Sequence, residues 1–316
     1  MSEEALRQLR RGNTQGALDA LIREVVTLQE VSPNSAHTIS YADDFLDVST
    51  GNAWYQADDA SVATGALPDG SNSFLVAAVV SRRMEPTTGD AIVCAHSNLG
   101  NSKGWMLEDL GSASATTHSY RFSIIGDGVD PLVEALMVVP ARAIQRWNFI
   151  LVHVFVVAGT CTVSTWVNGI TYQLSVPQPN FGEVVVNDET AFTIGAINDG
   201  ADGGIQANLE GRVAAVAYAA VADTLNVEAS AAAWMYDQVR QTGDLPAQFI
   251  NPDWVLAAYI PDIQWDYIWS VKRSLISGEA GSTWRNSGAE LGQGTLTQMS
   301  ASSSLTVAED INPQFC

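Results

Sequence analysis

Apolar residues in this chain form short β-type runs over most of its length. The longest run covers residues 147–156, and a second run at 162–172 follows a break at Ala158-Gly159. Other β-prone segments, bounded by clusters of Gly, Ser, Asn or Asp, lie at 74–80, 91–95, 120–125, 192–196 and 209–218. Runs of this length between turn residues are typical of strands. The pattern predicts a mainly β fold.

Two segments make more specific predictions. Residues 74–80 are continuously apolar, which is expected of a strand that is covered on both faces. Asn168-Gly169 separates two β-type runs, and Asn and Gly tolerate the positive φ angles that a type I′ turn needs at both central positions. We therefore expect a tight antiparallel hairpin at residues 168–169.

The order of these segments resembles the concanavalin A-like lectin/glucanase superfamily, and within it the laminin-G and pentraxin-like modules. The resemblance covers residues 43–236. The segments that carry it are Gly-Trp-Met-Leu at 104–107, Trp-Val-Asn-Gly at 166–169, Phe-Thr-Ile-Gly at 192–195, Gly-Arg-Val at 211–213 and a helical segment at 227–236. The resemblance implies an antiparallel jelly-roll β-sandwich, a fold that more often binds or decorates than catalyses.

The chain divides into three predicted parts. Residues 1–35 form an N-terminal helical arm, residues 39–260 the concanavalin A-like sandwich, and residues 261–316 an irregular, aromatic-rich C-terminal extension. Residues 255–259 are a candidate last strand of the sandwich. The aromatic side chains of the extension suggest packing against the sandwich or against a neighbouring subunit.

The arm has an apolar stripe at helical spacing. The residues of the stripe are Leu18, Leu21, Ile22, Val25 and Leu28. Such a stripe needs a partner surface. Either it packs on the sandwich of the same chain, or it serves attachment and oligomerisation by packing against another subunit. We predict that the chain is an oligomer or part of a larger lattice.

The charge balance excludes two kinds of partner. The chain has 35 acidic and 15 basic residues, giving a net charge of −20. Such a surface repels nucleic acid and anionic membranes. The charged N-terminus has no apolar signal core, and no window approaches the roughly 20 apolar residues of a membrane span. Three widely spaced cysteines, Cys94, Cys161 and Cys316, indicate neither a disulfide framework nor a zinc site.

Acidic and histidine residues do not form a recognisable catalytic set. The Glu-x-Asp-x-x-Glu pattern of glycan-cleaving members of the superfamily is absent from the sequence. The nearest acidic clusters are 43–47 and the pair Asp262 and Asp266. His153 alternates with valines and is expected in the core, whereas His96 and His118 are expected in polar loops. We therefore predict that the chain is not an enzyme and needs no cofactor.

One loop is a candidate calcium site. Asn198, Asp199 and Asp202 would supply oxygen ligands in a Gly-punctuated segment, although an ordinary hairpin loop explains the same residues more simply. Laminin-G and pentraxin-like modules often hold calcium at the sandwich rim. Residues 127–130 form a second, weaker candidate. Trp54, Tyr55 and Trp105 are either platforms for a sugar or core residues, so the glycan-binding residues stay unknown.

These predictions favour a structural protein of a virus particle. We expect a capsid-decoration, head-fibre or tail-adhesin subunit of a tailed phage, made in the host cytoplasm and displayed on the virion. Its partners would be other virion subunits, further copies of itself and host surface glycan. The alternative is a glycan-binding, lectin-like module, with or without a dependence on calcium. A carbohydrate-active enzyme with a non-standard carboxylate pair is a third reading.

Overall fold

The computed structural model describes the strands of two large sheets, one helix and some of the residues that connect them. The described residues are 46–47, 55–57, 73–82, 90–96, 104–114, 116–125, 131–140, 147–174, 178–179, 192–198, 205–206, 209–222, 224–251, 262–271, 273, 283–284, 287–288 and 296–298. All of them belong to the unit Ser40–Cys316. The predicted arm, with Leu18, Leu21, Ile22, Val25 and Leu28, lies outside them, as does the candidate strand at 255–259.

Strands dominate the described part of the chain, and a single helix, α1, accompanies them there. In chain order the elements are β1 (Leu46–Asp47), β2 (Tyr55–Ala57), β3 (Ser73–Arg82), β4 (Asp90–His96), β5 (Gly104–Ser114), β6 (Thr117–Ile125), β7 (Pro131–Pro140), β8 (Trp147–Val157), β9 (Thr160–Val167), β10 (Ile170–Leu174), β11 (Gln178–Pro179), β12 (Phe192–Ile194), β13 (Ile197–Asn198), β14 (Ile205–Gln206), β15 (Gly211–Val221), α1 (Ala229–Thr242), β16 (Gln248–Phe249), β17 (Ile263–Gln264), β18 (Tyr267–Ser270), β19 (Thr283–Trp284) and β20 (Leu296–Gln298).

These strands form two large antiparallel sheets. Sheet A has the order β1-β15-β3-β8-β9-β10, with β11 paired to β9 and β18 paired to β15. Sheet B has the order β19-β20-β2-β12-β4-β5-β6-β7. Two further pairs, β13 with β14 and β16 with β17, are short hairpin-like ladders. The prediction of an antiparallel β-sandwich is confirmed.

The main core lies between the two sheets. Alternate residues of β3 and β8, including Phe74 and Val152, meet alternate residues of β5 and β6, including Trp105 and Phe122. The Trp105 and Phe122 rings stack with centroids 6.0 Å apart, and Phe74 lies 5.8 Å from Trp105. Large aromatic rings bury much apolar surface. They therefore supply much of the free energy that holds the sheets together.

Sheet A is also covered on its outer face. The other alternate residues of β3, Leu75, Ala77 and Val79, pack in a second core with α1 and with residues that follow it. Both faces of β3 are therefore apolar, which explains the continuous run at 74–80. The prediction of a strand covered on both faces is confirmed.

The position of helix α1 is explained by the small and apolar residues along one of its faces. Ala231, Ala232, Met235 and Val239 recur at helical spacing and are buried against sheet A. The helix ends at Gly243, which has a φ of 68° and donates its N–H to the Val239 carbonyl oxygen at 2.7 Å. Glycine adopts this left-handed conformation without steric cost. The predicted helical segment at 227–236 is confirmed over most of its length.

Two tight hairpins connect β8, β9 and β10. Ala158 and Gly159 have φ angles of 49° and 73°, and Asn168 and Gly169 have φ angles of 53° and 76°. Two consecutive positive φ angles are the signature of the type I′ turn. The turn predicted at 168–169 is confirmed, and the break predicted at 158–159 is a second one.

Beyond residue 260 the described residues add strands to the sandwich. β18 pairs with β15 in sheet A, and β20 pairs with β2 at the edge of sheet B. Tyr267 and Trp269 point into the main core, whereas Trp265 and Ile268 pack in the outer core of sheet A. The boundary predicted at 260 thus does not separate these residues from the sandwich, because successive residues of β18 point alternately into the main core and the outer core.

Candidate functional site

A carboxylate and an imidazole face each other inside the sandwich. Asp109 of β5 and His118 of β6 have side chains that are 3% and 0% exposed, and Asp109 Oδ1 lies 2.9 Å from His118 Nε2. The carboxylate lies off the line of the N–H, so this is a close polar contact rather than an aligned hydrogen bond. Gly111 N–H donates to the same Asp109 oxygen at 2.9 Å. The pair contacts protein rather than solvent.

Polar contacts continue from this pair across the core. The His118 ring meets the Tyr120 ring edge to face at 4.8 Å. Asn148 Nδ2 of β8 donates to the Tyr120 hydroxyl oxygen at 3.1 Å, and Asn168 Nδ2 donates to Asn148 Oδ1 at 2.9 Å. We call this series the core polar chain; it consists of Asp109, His118, Tyr120, Asn148 and Asn168.

The core polar chain joins the two sheets. Tyr120 belongs to sheet B and Asn148 to sheet A, so their hydrogen bond crosses the apolar interior. A buried polar group costs free energy unless it is bonded, and a bonded one fixes a unique arrangement. The hydrogen-bonded part of the series, formed by Tyr120, Asn148 and Asn168, is therefore structural, because it fixes how the sheets face each other.

The outer face of sheet B carries a small charged cluster. Arg121 Nε donates to Glu108 Oε2 at 2.7 Å, and Arg121 Nη1 lies 4.0 Å from Glu134 Oε2. The hydrogen bond to Glu108 raises the pKa of Arg121 above its ordinary value, and the negative charges of Glu108 and Glu134 act in the same direction. This cluster bridges β5, β6 and β7.

Exposed apolar side chains lie beside that cluster on β7. Leu136 and Val138 are 37% and 43% exposed, and they alternate with the buried Ala135, Met137 and Val139. The alternation is that of a strand with one covered and one open face. β7 therefore has partly exposed apolar side chains at the edge of sheet B.

The acidic residues noted near the C-terminus bond to backbone groups. Asp262 Oδ1 accepts the Asn251 N–H at 2.6 Å, and Asp266 Oδ2 accepts the Ala220 N–H at 2.7 Å. These carboxylates hold separate pieces of backbone. In the 43–47 cluster, Asp43 and Asp44 lie outside the described residues.

The candidate calcium ligands are only partly within the described residues. Asn198 is the last residue of β13, which pairs with β14 through Asn198 and Ile205. Asp199 and Asp202 lie outside the described residues, between these two strands in sequence. The calcium site stays a prediction, as does the weaker candidate at 127–130.

Two histidines lie in strands rather than in the polar loops where the sequence placed them. His118 is the second residue of β6 and is fully buried, and His96 ends β4. The polar neighbours Thr117 and Ser119 conceal the inward position of His118, because in a strand they point to the opposite face. His153 is buried as predicted, and burial lowers its pKa to about 4.

The described aromatic candidates for a sugar platform are core residues. Tyr55 and Trp105 are both 0% exposed, and burial raises the pKa of the Tyr55 hydroxyl to about 12. Trp54 lies outside the described residues. Cys161 is buried as predicted, and burial raises the pKa of its thiol to about 12.

Sequence reasoning missed the core polar chain. Its clearest signal was Asn148, a single amide at the start of the apolar run 147–156. A polar side chain in such a run needs a buried partner. Finding that partner requires the pairing of β5, β6 and β7, which brings Tyr120 to the facing sheet.

Among the described residues, no helix has both the length and the apolar character needed to cross a membrane. No protein-family model matches the sequence, and no curated protein matches it.

Several solved structures resemble the fold at low sequence identity. A heptameric SAP-like pentraxin from Limulus polyphemus is 13% identical with a TM-score of 0.42, over 60% of this chain and 81% of that one. The CBM40 of the Ruminococcus gnavus IT-sialidase, bound to alpha2,3 sialyllactose, is 10% identical with a TM-score of 0.38, over 57% of this chain and 92% of that one. A domain of bacteriophage CBA120 tailspike protein 2 is 13% identical with a TM-score of 0.34, over 54% of this chain and 25% of that one. None of these likenesses transfers a residue role to this chain.

Proposed function

We propose that this chain is a non-enzymatic structural subunit of a virus particle, a capsid-decoration, head-fibre or tail-adhesin component of a tailed phage. Its concanavalin A-like sandwich is displayed on the particle surface. Other virion subunits and further copies of the chain hold it there. Host surface glycan is the external partner.

The observation that supports this proposal is that the titratable side chains described above contact other parts of the sandwich. Asp109 and His118 face each other in the core, Asp262 and Asp266 bind backbone N–H groups, and Arg121 binds Glu108. The bonds of Asp262, Asp266 and Arg121 hold strands and backbone of the sandwich in place. A rigid module whose charged groups serve the fold suits display on a particle better than turnover of a substrate.

Two further features fit attachment to a lattice. Leu136 and Val138 on β7 are partly exposed, and this pair of neighbouring apolar side chains would suit contact with another subunit. The predicted arm at 1–35 has an apolar stripe that also needs a partner. The net charge of −20 keeps displayed modules apart and in solution.

The proposal is tested by asking whether the predicted arm, residues 1–35, holds copies of the chain together in an oligomer. The full chain and a variant lacking residues 1–35 are compared by light scattering and thermal unfolding. A second variant replaces Leu21 and Val25 by Asp, and its matched control replaces Arg23 on the polar face by Asp. We expect a defined oligomer that is lost in the deletion and in the Leu21/Val25 variant, with the sandwich still folded and the control unaffected.

Other outcomes would count against the proposal. A monomer in every variant, combined with chelator-sensitive binding on a glycan array, would replace it by the glycan-binding module. Shortening of a polysaccharide on incubation with the full chain would replace it by an enzyme. Absence of the chain from gradient-purified particles of its source virus would overturn the virion assignment directly.

A further inference from the structure

Asn168-Gly169 is the one Asn-Gly step in the sequence, and it lies in the tight turn between β9 and β10. In a flexible chain, the backbone nitrogen of the glycine in such a step can attack the asparagine side chain. The new bond joins Gly169 N to Asn168 Cγ, the Cγ–Nδ2 bond breaks, and ammonia leaves with the amide proton. Water then opens the succinimide to aspartate or isoaspartate. The reaction needs only solvent and a mobile side chain.

The fold restrains the side chain that would react. Asn168 Oδ1 accepts the Phe149 N–H at 2.9 Å, and Asn168 Nδ2 donates to Asn148 Oδ1 at 2.9 Å. The Asn168 N–H itself donates to the Phe149 carbonyl oxygen at 2.8 Å. Both polar atoms of the side chain are thus held, including the nitrogen that would have to leave.

The peptide on the other side of the step is restrained independently. A Cβ at Gly169 would lie 2.7 Å from the Ala233 Cα of α1 and 3.2 Å from Tyr236 Cβ. The turn therefore packs directly against α1, and the helix prevents Gly169 from moving toward it. Asn168 and Gly169 are nevertheless half-exposed, so water reaches the step.

We propose that Asn168-Gly169 is a deamidation site that the native fold holds closed and that reacts when the β9–β10 turn opens. The product would fit the closed state less well. A carboxylate oxygen in place of Nδ2 would face Asn148 Oδ1, and two acceptor oxygens form no hydrogen bond. Turning the Asn148 amide to donate to this oxygen would replace the bond from Asn148 Nδ2 to the Tyr120 hydroxyl by one that the hydroxyl would have to donate. Isoaspartate would also lengthen the backbone of a two-residue turn. Each opening that leads to reaction therefore marks the molecule irreversibly.

The rate of the reaction tests the proposal. The full chain is incubated in mildly alkaline buffer with and without urea, beside a synthetic peptide of residues 165–172. Conversion of Asn168 is followed by mass spectrometry and by enzymatic detection of isoaspartate. We expect the native chain to react at least about tenfold more slowly than the peptide, which corresponds to ~1.4 kcal/mol of protection against opening. The chain in urea should match the peptide.

An Asn148→Ala variant tests the restraint itself. It frees Asn168 Nδ2, so we expect faster deamidation in variant molecules whose thermal unfolding shows that they are folded. An Asn168→Asp variant imitates one product and should unfold at a lower temperature than the parent chain. Equal rates in the native chain and the peptide would overturn the proposal, and that comparison stands even where the Asn148 variant does not fold. A folded Asn148→Ala variant that reacts as slowly as the parent would overturn the assigned role of the side-chain restraint.

Discussion

Gly169 of the β9–β10 turn lies directly against Ala233 of α1, so close that a Cβ on Gly169 would be 2.7 Å from the Ala233 Cα. Gly159 of the β8–β9 turn has a φ of 73°, close to the 76° of Gly169, but open space surrounds its Cβ position. The two glycines share a backbone conformation and differ in their surroundings. Substitutions at the two glycines therefore distinguish the free-energy cost of a left-handed backbone conformation from the cost of disturbing the packing against α1.

We expect Gly169→Ala to destabilise the chain more than Gly159→Ala. In both variants, holding alanine in the left-handed conformation lowers the free energy of unfolding by about 1–2 kcal/mol. Gly169→Ala additionally forces α1 away from the turn, at a cost of about 1–3 kcal/mol. Urea unfolding of the two variants measures the difference, and equal destabilisation would show that α1 does not restrain this turn.

A second prediction concerns acid stability. Burial lowers the pKa of His153 from 6.5 to about 4, so the folded chain resists protonating this residue while the unfolded chain does not. Unfolding therefore takes up a proton as pH falls below about 6.5, and stability declines until about pH 4. The shift corresponds to roughly 3 kcal/mol. Urea unfolding of the parent chain and a His153→Leu variant over this pH range should show that the variant lacks this part of the decline.

The parent and the variant share the other titrating groups, so the difference between their pH profiles isolates His153. Parallel profiles would mean that His153 takes up its proton equally well in the folded chain.

The sequence predicted the features that depend on local chemistry. Asn168-Gly169 specifies its turn because both residues tolerate positive φ, whatever surrounds them. The continuous apolar run at 74–80 indicates burial on both faces, because a strand with an open face alternates instead. Neither inference requires knowledge of a distant partner.

The sequence did not predict the features that depend on pairing between residues far apart in the chain. β3 pairs with β8 on one side and with β15 on the other, and the sequence of β3 does not indicate which strands these partners are. His118 looks like a loop residue until the pairing of β5 with β6 brings it to Asp109. The two positions are brought together by strand register, and a shift of one residue would turn His118 outward.

A third prediction concerns the cysteines within the described residues. Burial raises the pKa of Cys161 to about 12, so its reactive thiolate is almost absent at neutral pH. Cys94 is also fully buried, with Sγ 2.8 Å from Thr193 Oγ1. In a Cys316→Ser background, we expect a thiol reagent to label neither cysteine in the native chain and both in urea. Stoichiometric labelling of the native variant would show that one of these sites opens to solvent.

A last prediction compares two arginines. Arg273 is 24% exposed, donates from Nε to Asp244 Oδ2 at 3.1 Å, and also donates to the Leu245 carbonyl oxygen. It ties the residues after α1 to the end of β18. Arg240 forms an exposed pair with Asp237 one turn away on α1, at 3.2 Å.

Arg273→Ala should cost about 2–3 kcal/mol, because it removes the Arg273 donor from the largely buried Asp244 Oδ2 and from the buried Leu245 carbonyl oxygen. The matched variant Arg240→Ala should cost no more than about 0.5 kcal/mol, since water replaces an exposed partner. Urea unfolding at low and high salt measures both. Comparable losses for the two variants would mean that Arg273 contributes no more to the fold than a surface charge does.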